Sequence, residues 1–132
     1  MSPTLKQPCP CGTGKRYELC CSRWHHGSEY CQAPDAEQLM RSRYCAFVLR
    51  LPQYLVDTWH PSTRPTELEL DDRFTKWIGL QIHHAHQHDD THAEVSFTAR
   101  YKENGKAGRL HEVSRFIKEQ TQWFYVDGQF PE

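Results

Sequence analysis

An α+β fold is predicted for this 132-residue chain from three features. Helical periodicity is confined to its first half, alternating strands joined by short polar turns fill its second, and four cysteines crowd into the segment from Cys9 to Cys21. The length is that of one domain, but the first thirty residues are too few to bury a core of their own.

Residues 8–21 open on Pro8-Cys9-Pro10-Cys11-Gly12-Thr13-Gly14, so a turn precedes any regular element, and Lys15 to Cys21 is expected to form a short helix. His25 to Ala33 reads as connecting loop. A helix follows from Asp35 to about Leu49, with Asp35 as N-cap and Gln38 as its capping-box partner. Leu39, Met40, Ala46, Phe47 and Val48 supply its apolar stripe. Gln53 to Trp59 is a second, shorter helix, stopped at His60-Pro61 because a residue before proline disfavours α geometry. Thr63 to Phe74 is polar, with Glu67, Glu69, Asp71 and Asp72, and reads as loop plus a helical turn.

Strands are expected at Trp77–His88, His92–Tyr101, Arg109–Glu119 and Gln122–Asp127, with turns at Asp89-Asp90, Asn104-Gly105 and Gln120-Thr121. The second alternates most cleanly: Ala93, Val95, Phe97, Ala99 and Tyr101 share one face.

No apolar run reaches the roughly 18 residues that span a bilayer, and the N-terminus lacks the apolar core of a signal peptide. The expected compartment is the cytoplasm, where clustered cysteines bind metal more often than they form disulfides. Adjacent Cys20 and Cys21, and Cys9 and Cys11 one residue apart, would make strained disulfide loops in any case. Net charge is −1, so no global basic field advertises nucleic acid. The head is nonetheless basic: Lys6, Lys15, Arg16 and Arg23 outnumber Glu18 up to His26.

Structural zinc takes four ligands in a tetrahedron, with Zn–S near 2.3 Å. Cys9 and Cys11 bend a short loop so that two sulfurs converge; Cys20 and Cys21 complete the set. Gly12 and Gly14 permit backbone angles closed to other residues. Four protein thiolates leave no open coordination position, so this site is structural rather than hydrolytic. Gly12-Thr13-Gly14-Lys15 is not a phosphate loop, because Cys9 replaces the first glycine and Arg16 follows the lysine.

The run Cys9-Pro10-Cys11-Gly12-Thr13-Gly14-Lys15-Arg16-Tyr17-Glu18-Leu19-Cys20-Cys21 resembles the SEC-C motif, the zinc-binding tail of the translocase ATPase SecA, with Thr13 for the usual serine and Arg16 for a common lysine. Leu39-Met40-Arg41-Ser42-Arg43-Tyr44-Cys45-Ala46-Phe47, Thr58-Trp59-His60-Pro61, Ser114-Arg115-Phe116 and Trp123-Phe124-Tyr125-Val126-Asp127-Gly128 resemble the YchJ family of bacterial SEC-C proteins over nearly the whole chain. That resemblance implies an N-terminal SEC-C zinc knuckle over residues 1–30. It also implies a body over 31–132 like nuclear transport factor 2, a curved antiparallel sheet wrapped on helices into a cone. In SecA the motif docks a chaperone and the ribosome; by analogy a protein or ribosomal partner is expected here.

A cone of this kind often encloses a pocket, and Arg41, Arg43, Tyr44, Trp59, His60, Arg115 and Asp127 are its candidate lining. His60 as a base oriented by Asp127 would serve an enzyme, but no catalytic residues are assigned. His83, His84, His86, His88 and His92 are a candidate second metal cluster, set against a polar hairpin end. Cys45 reads as a small buried hydrophobe, and His25 and His26 as weak alternates to Cys21. The leading expectation is a non-enzymatic zinc adaptor, and the alternative is a ligand-binding protein or enzyme using the cone pocket. A third reading is RNA contact through the knuckle with Tyr17, Arg23 and Trp24.

Overall fold

Asp35 starts the longest helix, as its side chain predicts. In the computed structural model, which describes residues 6–66, 68 and 75–130, the Asp35 carboxylate accepts from the Gln38 backbone N–H at 2.8 Å. Gln38 Nε2 donates back to that carboxylate at 3.3 Å, whereas a full capping box has the Gln38 side-chain oxygen accept from the Asp35 backbone N–H, so the box is only half formed.

Among the described residues the helices are α1 (Ser22–His25), α2 (Ala36–Leu49) and α3 (Pro52–Asp57), and the strands are β1 (Thr75–Gln87), β2 (His92–Glu103), β3 (Lys106–Glu119) and β4 (Gln122–Gln129). Pro52 sits in the first turn of α3, where a missing N–H costs nothing. The helix expected over Lys15–Cys21 is instead a single 3₁₀ turn, Tyr17–Leu19, followed by α1. Cys20 separates the two with φ −129° and ψ −119°, outside helical geometry. The expected loop before α2 also holds a 3₁₀ turn, Gly27–Glu29. Of the polar stretch Thr63 to Phe74, positions 67 and 69–74, which include Glu67, Glu69, Asp71 and Asp72, lie outside the described residues.

The strands form one antiparallel meander in the order β1-β2-β3-β4. They run further than alternation alone suggests because pairing continues to the turns, with Glu103 opposite Lys106 and Glu119 opposite Gln122. Asn104 and Gly105 both take positive φ, 52° and 81°, as a tight hairpin turn matching strand twist requires. Register shifts at Trp77/Gly79, Ile82/His84 and Arg115/Phe116 mark bulges. Bulges raise local twist and bend a strand, so the sheet curves.

The concave face carries Ala93, Val95, Phe97, Ala99 and Phe116, all buried, and α2 lays Leu39, Met40 and Tyr44 into the same core. The chain after α3 closes one side against β4: Tyr125 N–H donates to the Thr58 carbonyl and His60 N–H to the Tyr125 carbonyl, each at 2.8 Å. The α+β expectation of a curved sheet on helices is borne out. No helix among the described residues is long and apolar enough to cross a membrane.

Candidate metal centre

The N-terminal loop is folded by its own backbone. Cys9 N–H donates to the Lys15 carbonyl at 2.8 Å, Gly12 N–H to the Cys9 carbonyl at 3.2 Å and Tyr17 N–H to the Gln7 carbonyl at 2.9 Å. Gly12 and Gly14 hold φ of 87° and 84°, the left-handed region that lets so short a loop reverse. The 3₁₀ turn then delivers Cys20, and Cys21 is the N-cap residue of α1.

The sulfurs of Cys9, Cys11, Cys20 and Cys21 all lie within 4.8 Å of one another, and all four residues are buried. Cys11 Sγ is 3.5 Å from Cys20 Sγ, and all six cysteines of the chain are free thiols. This is a convergent set of four soft donors that can hold one metal ion. The thiols are polarised against one another. Hydrogen bonds from Cys11, Cys21 and Cys45 push Cys9 strongly down, and bonds from Cys21 and Thr13 push Cys20 down to about 6. Cys21, with Cys11 and the other sulfurs crowded around it, is pushed strongly up.

The knuckle is fastened to the body by side chains. Arg41 Nη1 donates to the Cys11 carbonyl at 2.9 Å, and its Nε pairs with Glu37 at 3.1 Å. Arg23 Nε donates to the Cys20 carbonyl at 3.0 Å while its guanidinium lies over the Trp24 ring, 4.5 Å from the centroid. The Tyr17 hydroxyl bonds His25 Nδ1, and His25 Nε2 bonds the Ser42 carbonyl on α2. Cys45 Sγ on α2 lies 3.8 Å from Cys9 Sγ, a fifth sulfur at the wall of the site. Nothing in the local motif points to Cys45, which is 24 positions beyond Cys21.

The whole chain has relatives, and they match both parts. Residues 6–23 match the SEC-C motif, and residues 35–128 match the model described as YchJ, middle NTF2-like domain. The chain belongs to the YchJ family. A UPF0225 protein of Bordetella pertussis is 57% identical over 127 residues, 96% of each chain. A UPF0225 protein of Cupriavidus pinatubonensis is 51% identical, over 92% of this chain and 87% of its own. The solution structure of a SEC-C motif containing protein from Rhodopseudomonas palustris superimposes with a TM-score of 0.83 at 28% identity, covering 96% of this chain and all of that one. The crystal structure of a SEC-C motif containing protein from Psychrobacter arcticus gives 0.79 at 30% identity, covering 97% and 85%.

The family's NTF2-like body holds a cavity of about 170 Å³ between α2 and the sheet. Of the candidate pocket residues, Arg43, Tyr44 and Trp59 line it. The other four are placed elsewhere. Arg41 turns to the knuckle. His60 is held by Ser62 and Glu119, and Arg115 Nε pairs with Asp127 at 2.6 Å on the exposed side of the sheet. Burial on a curved sheet depends on which strand face a residue takes, and the bulge beside Arg115 is invisible in the sequence. Glu112 and Ser114, which sequence reasoning did not assign to the cavity, also line it.

The histidines do not converge. The bulge between Ile82 and His84 puts His83 against Thr98 and the His111 ring, His86 stacks on His88, His88 pairs with Glu94, and His92 pairs with Asp89. Among the described residues, the cysteine quartet is the group of three or more ligating side chains whose ligand atoms meet.

Proposed function

We propose that this chain is a zinc-binding adaptor whose knuckle docks on a protein or ribosomal partner, with the NTF2-like body as its rigid mount. The convergence of four buried sulfurs carries the reading. Zinc suits a tetrahedral all-thiolate site, and Cys9, Cys11, Cys20 and Cys21 would hold it with no position left for substrate. The bound ion supplies folding energy to a segment too short to bury a core.

The surface that remains is suited to contact. Leu19 is 60% exposed at the knuckle, next to exposed Lys15 and Arg16. With Lys15 and the Arg16–Glu18 pair nearby, Leu19 is a small apolar spot in charged surroundings, an apolar centre with a polar rim. Six free thiols fit the reducing cytoplasm.

Co-sedimentation with ribosomes and affinity capture, comparing the metal-loaded wild type with Leu19→Glu, test the adaptor role. Loss of a specific partner in Leu19→Glu with metal content unchanged supports it. Partners retained by both Leu19→Glu and Cys9→Ser would refute it. Binding to naked RNA that weakens steeply with salt would transfer the role to RNA contact.

A further inference from the structure

The cavity under α2 carries two ionic groups that the knuckle does not need. Arg43 is 4% exposed and Glu112 is 7% exposed, and both line the cavity. Arg43 Nη1 donates to the Leu55 carbonyl at 2.9 Å and to Thr58 Oγ1 at 2.7 Å, and its guanidinium lies over the Tyr125 and Trp59 rings. Its charge is therefore fixed in place by neutral partners.

Glu112 is seated as firmly. Ser114 Oγ and the Tyr125 hydroxyl both donate to its Oε2, at 2.5 and 3.1 Å. Gly128 on β4 leaves it the room: a Cβ there would fall 2.0 Å from Oε2. Both bonds fall on Oε2, and among the described residues no buried side-chain oxygen lacks a partner, so Oε1 still meets solvent where Glu112 lines the cavity. A carboxylate oxygen in so apolar a wall is costly unless solvent or a donor meets it, so Oε1 is open to the donor of a molecule that enters the cavity.

The walls around it are aromatic and apolar: Phe47, Trp59, Trp77, Phe97 and Leu110. Phe47, Trp59, Trp77 and Leu110 are only half-buried, which gives the cavity a mouth, whereas Met40, Phe97, Ala99 and Ser114 are buried and form its floor. An apolar cavity of roughly 150 Å³ takes one benzene ring, so about 170 Å³ suits a single-ring compound.

We infer that this cavity binds a neutral, single-ring aromatic compound bearing an O–H or N–H group, which donates a hydrogen bond to Glu112 Oε1 while its ring stacks among Trp59, Trp77 and Phe97. Arg43 and Glu112 already balance in charge, so a cationic or anionic ligand would bury a net charge and a neutral one does not. This site is separate from the knuckle, and its failure leaves the adaptor reading untouched.

Titration of ¹⁵N-labelled, metal-loaded protein with benzyl alcohol, toluene, benzylamine and benzoate tests the inference. Benzyl alcohol should shift the Phe97, Ala99 and Ser114 amides saturably and bind about tenfold tighter than toluene, the worth of one well-made hydrogen bond to a charged acceptor. It should also outbind both charged probes. Ala99→Leu, which fills the floor, should abolish binding of all probes while the fold and metal content persist. Glu112→Gln keeps the side chain's shape and should narrow the gap to toluene. No saturable shift in the folded wild type, equal binding of toluene, tighter binding of a charged probe, or undiminished binding in folded Ala99→Leu would each overturn it.

Discussion

The Tyr17 hydroxyl lies 2.6 Å from Nδ1 of His25, and through that ring the knuckle is tied to the body. Because the Ser42 carbonyl can only accept, Nε2 at 2.9 Å carries the ring proton, and Nδ1 accepts from Tyr17. The relay joins the 3₁₀ turn, α1 and α2 in one buried line. Tyr17→Phe leaves Nδ1 without its donor and should cost about 1–3 kcal/mol in chemical denaturation with metal stoichiometry unchanged. An unaltered denaturation midpoint would show the relay to be idle.

Burial pushes the His25 imidazole down from 6.5 to about 4, with the Ser42 bond opposing it. The folded state thus binds fewer protons than the unfolded one between those values. The His25 contribution is present in full above pH 6.5 and is lost as pH falls from 6.5 towards 4, on the order of 3 kcal/mol across the interval. Long-range ¹⁵N–¹H spectra should show His25 neutral and Nε2-protonated at pH 6. A charged ring at that pH would contradict the relay.

Cys45 sits at ligand-like distance from Cys9 but outside the quartet whose sulfurs all converge. Cys45→Ala should keep one metal per chain, with at most a few kcal/mol lost to the small cavity. Cys9→Ser should lose the metal or hold it far more weakly. If Cys45→Ala loses metal as completely as Cys9→Ser, the ligand set must be redrawn to include α2.

Gly128→Ala should destabilise the body by 2 kcal/mol or more on the scale of about 1–3 kcal/mol typical of overpacking, since the new methyl meets the Glu112 side chain at 2.0 Å. Truncating the obstacle should compensate: Gly128→Ala with Glu112→Ser should recover part of the loss, giving non-additivity in a double-mutant cycle. Strict additivity would mean that the two residues do not meet.

What the sequence disclosed and what it withheld divide along locality. Asp35 was legible as a cap because its partner, Gln38, is three residues on, and the Asn104-Gly105 turn because its positive φ values are written into those residue types. The quartet lies within one motif, so it too could be read directly. Cys45, Arg41 and Glu112 were not legible in their roles, because each depends on which elements pack together. Arg41 and Arg43 are two residues apart on α2, yet one reaches the knuckle and the other enters the cavity. His86 and His88 neighbour each other as strand alternation implies, but His88 pairs with Glu94 and His92 with Asp89, contacts that set the hairpin end rather than a metal site and that alternation alone does not show.

Metal analysis of protein prepared without added metal, joined to X-ray absorption at the zinc edge, bears most directly on the cysteine quartet. One zinc per chain, with four sulfur neighbours at about 2.3 Å, is the expected result. A stoichiometry near zero, or a first shell containing nitrogen or oxygen in place of a sulfur, would contradict it.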